Sequence, residues 1–371
     1  MVTIHKFGAT PLTCHAWSSD QSKVAISQNN QNIVIYKSGG KGWETESQLQ
    51  QHDLRVTGID WAPRTNRIVT CSEDRNAYVW VKDGEAWKHT LVVLRINRAA
   101  TCVRWSPDEN KFAVGSGAKV ISVCFYEKEY DFWVAKHIKK PIKSTVTTVD
   151  WHPNNILLAA GSTDFKVRIF SGYLKEIEAK PTPTEWGAKM TFGNLMAEFT
   201  NSPNGGGWVH DLSFSLDGSK VAWVGHDSSV SVADAGNGMR IAKLKTCLLP
   251  FKSVLWVSPS TLIVAGHDYV PIVFSLSSEG NLVEGDRLEE DKKASLGTLS
   301  NARQMFQNMD ILGQSDSGTR INTTHENQIN ELRIQKTMKD EVRTISSCAG
   351  DGKLVIWNLE TLAGKLKPQR N

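Results

Sequence analysis

The side chains that could do chemistry in this 371-residue chain are ten histidines, thirty-nine acidic residues and six cysteines, and their spacing suits none of the familiar reactions. No His-Glu-x-x-His pair or His/Cys spacing that would seat zinc is present, and neither is a Gly-x-Ser-x-Gly nucleophile elbow or a phosphate loop. Gly205-Gly206-Gly207 lacks the Lys-Ser/Thr pair that a phosphate loop needs and precedes a strand-like run, so it reads as a turn. His226-Asp227 and His267-Asp268 could pass a proton in principle. They stand at turns, where Asp and His commonly hydrogen-bond local backbone. The cysteines lie singly, without a Cys-x-x-Cys pair, and Cys14, Cys71, Cys102 and Cys348 fall in apolar runs, the pattern of buried reduced thiols. The expectation is a chain that binds rather than catalyses, with no metal and no cofactor.

The elements that would present binding residues are written as a repeat. A small polar residue, an apolar residue and then an aromatic or apolar anchor recur, most clearly in Val56-Thr57-Gly58-Ile59-Asp60-Trp61, Thr101-Cys102-Val103-Arg104-Trp105 and Val146-Thr147-Thr148-Val149-Asp150-Trp151. With Trp17, Phe214, Trp256 and Leu332 as the other anchors, the intervals are 44, 44, 46, 63, 42 and 76 residues. A period near 44 is that of a bladed propeller. A second register supports it: Tyr36, Trp80 and Phe170 each stand 19 residues after an anchor and close an alternating apolar run. Such runs, separated by clusters such as Ser72-Glu73-Asp74, read as hairpin-linked antiparallel strands.

A lone four-stranded sheet leaves both faces apolar, so the blades must stack around an axis. Three residues before six anchors the side chain is short (Cys14, Gly58, Cys102, Thr148, Asp211, Ser253), as expected where the next blade approaches closely. The last repeat offers three strands, near Ile329 to Leu332, Val342 to Cys348 and Lys353 to Trp357, and residues 1–8 form a strand-like run with no blade of their own. The chain is therefore expected to be all-β, one seven-bladed WD-repeat propeller over residues 1–371, with its first strand completing the seventh blade.

Composition predicts a soluble cytoplasmic protein. There is no apolar N-terminal stretch of signal-peptide type and no 18-residue apolar run, so membrane insertion is not expected. A net charge of +4, from 43 basic and 39 acidic residues, is too mild to indicate nucleic acid.

Two segments exceed the repeat unit. Residues 179–206 carry Pro181 and Pro183 with Trp186, Met190 and Phe192, which pack either on their own blade or on a partner. Residues 284–322 contain a helix predicted over about 298–312. There Leu299, Ala302, Met305, Phe306, Met309 and Leu312 share an arc of about 140°, while Arg303, Gln304, Gln307, Asn308 and Asp310 fall outside it. A helix of about four turns is marginal alone and must lay its apolar face on a surface, its own or a partner's.

Several phrases resemble one family over essentially the whole chain: Thr13-Cys14-His15-Ala16-Trp17-Ser18, Asp74-Arg75-Asn76-Ala77-Tyr78-Val79-Trp80, Asn97-Arg98-Ala99-Ala100-Thr101, Lys136-His137-Ile138-Lys139-Lys140-Pro141 and Phe306-Gln307-Asn308-Met309-Asp310. They are similar to the WD-repeat subunit of the actin-related protein two/three complex, which nucleates branched actin filaments. The resemblance implies a non-catalytic subunit that scaffolds the complex among actin-related proteins and the other subunits, in the cytoplasm with the actin cytoskeleton. It further implies that the insert helix meets an actin filament through Leu299, Arg303, Phe306 and Met309, with Met305 on the same arc. Acidic nucleation-promoting factors are a third implied partner, and Arg95, Arg98, Lys136, Lys139, Lys140 and Lys143 form the candidate basic rim for their tails.

The chain departs from the WD signature at several points: Trp80-Val81 and Trp357-Asn358 stand where Trp-Asp would, and Phe214 and Leu332 replace Trp as anchors. A generic WD-repeat adaptor, such as a ubiquitin-ligase substrate receptor, is the competing reading. It would need no amphipathic insert.

Overall fold

A computed structural model describes residues 2–40, 42–201, 206–289, 323–338 and 341–362. Every regular element among them is a strand, as the short Val- and Ile-rich runs between polar turns require. The first strand, β1 (Val2–Lys6), stands apart in sequence from the sheets that follow it. Blade one holds β2 (Cys14–Trp17), β3 (Lys23–Ser27), β4 (Ile33–Gly39) and β5 (Gly42–Leu49). Blade two holds β6 (Val56–Trp61), β7 (Ile68–Ser72), β8 (Ala77–Asp83) and β9 (Ala86–Val92). Blade three is β10 (Ala100–Trp105), β11 (Lys111–Ser116), β12 (Ile121–Glu127) and β13 (Phe132–Ile138). Blade four is β14 (Val146–Trp151), β15 (Leu157–Ser162), β16 (Lys166–Ser171) and β17 (Leu195–Thr200). Blade five is β18 (Val209–Phe214), β19 (Lys220–Gly225), β20 (Ser229–Asp234) and β21 (Arg240–Lys245). Blade six is β22 (Phe251–Ser258), β23 (Thr261–Gly266), β24 (Ile272–Leu276) and β25 (Leu282–Arg287).

Blade seven draws on both ends of the described chain. Its order is β26 (Ile329–Met338), β27 (Glu341–Ala349), β28 (Lys353–Asn358) and then β1, with Val2 opposite Trp357 and Lys6 opposite Lys353. All seven sheets are four-stranded and antiparallel, and the first six are meanders. The hydrophobic core is divided among the seams between blades. One cluster joins Ile33 and Leu49 to Trp61 and Trp80, another joins Trp17 and Ile26 to Cys348 and Leu354, and comparable clusters fill the other five seams. No blade has a core of its own, so the ring is the folding unit.

Three of the anchors tie their blade to its predecessor by a hydrogen bond. Trp151 Nε1 donates to Arg104 O at 3.2 Å, Trp256 Nε1 to Ser213 O at 3.0 Å and Trp17 Nε1 to Ser346 Oγ at 2.8 Å. Register corrects one anchor. Ile334 lies opposite Ile345 as Trp256 lies opposite Leu262, so the last repeat is anchored by Ile334, two residues beyond Leu332. The position three before it is then Glu331, a long acidic side chain where the other blades carry short ones.

Both over-long segments are partly sheet. Residues 195–200 of the first form β17, so the true excess is 172–194, between β16 and β17. That excess folds back on its own molecule. Trp186 is buried against Phe199 and Phe214 and donates Nε1–H to Gly218 O at 2.8 Å, and Met190 is buried with it. Lys111 of β11, fully buried, donates to Glu178 at 2.5 Å and to Gly172 O at 2.9 Å and stapes the loop's start to blade three. In the second segment residues 284–287 belong to β25, and Leu288 is buried in the seam between blades six and seven. The expected helix over 298–312 falls within 290–322, outside the described residues.

Candidate functional site

Two Ser/Thr-His-Asp constellations were not apparent from the sequence. In blade two, Thr70 Oγ1 is 2.9 Å from His52 Nε2, and His52 Nδ1 is 2.8 Å from Asp74. In blade seven, Ser347 Oγ is 2.7 Å from His325 Nε2, and His325 Nδ1 is 3.2 Å from Asp351. The distances are those of a hydrolase triad, but a third donor closes each one. Trp80 Nε1 donates to Thr70 Oγ1 at 3.0 Å and Trp357 Nε1 to Ser347 Oγ at 2.8 Å. Both hydroxyls and both imidazoles are buried, so no substrate carbonyl can reach the oxygen. These groups lock the loop that enters the blade and the turn between its second and third strands onto the middle of the blade. The turn His-Asp pairs behave similarly: Asp227 accepts from Ser229 Oγ at 2.6 Å and Asp268 accepts from Leu249 N at 2.9 Å.

The axial channel is built from the inner strands. In six blades the pairing of inner and second strand slips by one residue at the same place, between Val56 and Gly58, Ala100 and Cys102, Val146 and Thr148, Val209 and Asp211, Phe251 and Ser253, and Ile329 and Glu331. A bulge re-aims the extra residue. Here the re-aimed residues are Thr57, Thr101, Thr147, His210, Lys252 and Asn330. Thr57 Oγ1 donates to Ala100 O at 2.9 Å, Thr101 Oγ1 to Val146 O at 2.6 Å and Thr147 Oγ1 to Val209 O at 2.6 Å, so three consecutive seams carry the same bond. Thr13, Thr57, Thr101 and Thr147 recur with the period of the anchors, a signal in the sequence that went unread. Gly58 shows why small residues come next: a Cβ there would stand 3.0 Å from Val103 N of the following blade.

Below that ring lies an ionic layer. Asp60 accepts from Trp105 N at 2.7 Å and Asp150 from Phe214 N at 2.8 Å, each satisfying a donor on the free axial edge of the next inner strand. Glu331 joins four blades. Its Oε2 accepts from His15 N at 2.9 Å and its Oε1 from Arg333 Nε at 2.9 Å and from both Arg104 Nη atoms at 3.2 and 3.3 Å, while Arg333 Nη1 reaches Asp60 at 2.9 Å. Burial opposes ionisation of Glu331, but Arg333, the His15 bond and Arg104 outweigh it and hold the carboxyl well below its usual range. Asp150 is moved the other way, up to about 6, because burial outweighs the help of the Phe214 N–H and Arg104. Ligand atoms of His15, Glu331 and Cys348 lie within 4.8 Å of one another. This donor set suits a metal poorly, since burial keeps the Cys348 thiol protonated and two guanidiniums already occupy Glu331.

The basic residues expected to form a rim divide between two places. Arg95 and Arg98 sit on the loop between β9 and β10, and Lys139, Lys140 and Lys143 on the loop between β13 and β14. All five are exposed and lead into neighbouring inner strands on one face of the ring. Arg95 Nη2 donates to Ala135 O, which ties the first loop to strand β13. Lys136 lies on the flank, on β13, and is paired with Glu176 at 2.6 Å, so it adds no free charge to that face. Leu299, Arg303, Met305, Phe306 and Met309 lie outside the described residues.

Seven blades closed by the first strand, with indole-sealed His-Asp turns, define a WD-repeat propeller. The family described as WD domain, G-beta repeat matches residues 43–81 and 136–171, windows that end just past Trp80 and Phe170. Over its whole length the chain is 50% identical to actin-related protein 2/3 complex subunit 1A-B of Xenopus laevis, with 100% of both chains covered. It is 41% identical to subunit 1 of Schizosaccharomyces pombe, covering 93% of this chain and 96% of that one, and 40% identical to subunit 1A of Arabidopsis thaliana, covering 100% and 99%. The chain belongs to the actin-related protein 2/3 complex subunit 1 family.

Proposed function

We propose that this chain is the propeller subunit of an actin-related protein 2/3 complex, a scaffold that makes and breaks no bond and works in the cytoplasm at the actin cytoskeleton. One observation carries the reading: the chain is 50% identical to a subunit 1 protein in a match that covers all of both chains. Isolation of a tagged chain from its own cells tests it. Actin-related proteins are expected to dominate what accompanies it, and an adaptor of ubiquitin ligases in their place would refute it.

Two contacts follow from this role. The five exposed cations beside β10 and β14 receive the acidic tail of a nucleation-promoting factor, because they share one face and make no ion pair among the described residues. The segment 298–312, through Leu299, Arg303, Met305, Phe306 and Met309, engages the mother filament, a reading supported by its amphipathic sequence. Phe306→Asp is expected to leave subunit assembly intact and to lower branch density in a fluorescence branching assay; undiminished branching would refute the filament contact.

A further inference from the structure

The axial mouth is a concave site that the scaffold role leaves unused. Above the ionic layer, on the face where the inner strands begin, lies a depression of about 410 Å³ bordered by Arg55, Lys252, Asn29, Gln328, Thr57 and Thr101. No carboxylate borders it. Lys252 is one of the six bulge residues, so the backbone slip of blade six delivers an ammonium to the axis. That ammonium donates to Asn330 Oδ1 at 2.7 Å and meets no carboxylate within salt-bridge distance among the described residues. Two of its three N–H groups remain for a ligand.

The nearest acids are already engaged. Glu331 is held by Arg104 and Arg333, and Asp211 accepts from Thr148 Oγ1 at 2.8 Å, Ser253 Oγ at 2.8 Å and Val254 N at 3.1 Å. Arg55 is ion-paired with Glu73 through Nη2 at 2.5 Å and donates Nη1–H to Asn29 at 3.3 Å, so a ligand meets it only through its remaining N–H groups, in competition with Glu73, which stands outside the depression. His210 closes the adjoining wall as a neutral ring: burial and His226, 2.9 Å away, bring it down to about 4. Burial, with Arg55 beside it, lowers Lys252 from its ordinary value.

We infer that this axial mouth is a receptor for a compact polyanion of the phosphorylated-polyol class. Lysine and the remaining N–H groups of Arg55, flanked by side-chain amides in an open depression, suit clustered phosphates. An extended acidic peptide would want a groove instead, and the ring of inner strands leaves none at the axis. The same chemistry is found in a free inositol phosphate and in a phosphoinositide headgroup.

Titration of the full chain with inositol hexakisphosphate, beside flotation with phosphatidylcholine vesicles with or without phosphatidylinositol bisphosphate, tests the site. Lys252→Met and Arg55→Met are each expected to weaken hexakisphosphate binding about tenfold or more, while Lys252→Arg retains it. Vesicle capture with the same sensitivity assigns the ligand to a lipid headgroup; titration without capture assigns it to a free polyanion. If Lys252→Met fails to fold, Arg55→Met decides alone. Absence of hexakisphosphate binding, or binding that survives both substitutions and is lost with Lys139→Glu/Lys140→Glu, overturns the inference.

Discussion

Replacing Glu331 by Gln keeps the size of the side chain and removes one charge from the point where blades one, two, three and seven meet. The carboxylate accepts three hydrogen bonds from two guanidiniums and one from the His15 amide. Glutamine can keep two acceptor contacts at most and must turn its amide N–H groups toward a guanidinium. Breaking a buried pair by removing one partner costs about 3–5 kcal/mol. The channel side chains retain some contact with water, at 13% relative exposure for Glu331 and 24% for Arg104, which lowers the expectation to about 2–4 kcal/mol. Urea unfolding at neutral pH measures this, and a cycle with Arg104→Met separates pairing from packing; the double variant should lose less than the two singles together. The carboxyl is depressed in the fold, so its stabilisation is present above its ordinary value of 4.5 and drains away as pH falls. Glu331→Gln should therefore flatten the acid limb of the stability curve. A loss under about 1 kcal/mol with additive singles would show that the ionic layer does not hold the ring closed.

Asp150 is the converse case. Its carboxyl is raised to about 6, so the folded ring binds that proton more tightly than the unfolded chain does, and the benefit is lost as pH rises from the ordinary value of 3.8 through 6. Asp150→Asn keeps an acceptor for Phe214 N and should gain about 1–2 kcal/mol on the native chain between pH 5 and pH 8 in paired thermal melts; parallel pH profiles would refute the shift. Lys139→Glu with Lys140→Glu should weaken binding of an acidic activator peptide and flatten its salt dependence in fluorescence anisotropy, since both side chains are exposed and without an ion pair among the described residues. An unchanged salt slope would remove the basic face from the activator contact.

The architecture was legible because a propeller repeats its constraints. Trp61, Trp105 and Trp151 recur because the anchor position fills the apolar seam between blades, and Cys14, Gly58 and Cys102 are small because the next inner strand lies against them. The last anchor has no aromatic side chain to mark it: Leu332 stands where Ile59 stands in the second blade, and the anchor position is the aliphatic Ile334. Length arithmetic took residues 195–200 and 284–287 for insert, although both are outer strands; outer strands are half exposed and carry little apolar pattern, as Leu195–Thr200 illustrates. Glu331 and Arg104 are 227 residues apart, and no local periodicity announces a pair that only ring closure creates. Trp186 was equally open to a partner or to its own blade until Gly218 O and Phe214 were seen to cover it.

The seventh blade sets a timetable for synthesis. Val2–Lys6 leaves the ribosome long before Lys353–Asn358, its strand partner among the described residues, has been made. At ordinary elongation rates the wait is on the order of tens of seconds. Through that interval the nascent chain holds six hairpin-linked sheets whose two end blades lack a neighbour, so apolar seam surfaces such as Trp17 and Ile26 stay uncovered. Production of this protein should therefore depend more on protection of the growing chain than on the strength of any single blade.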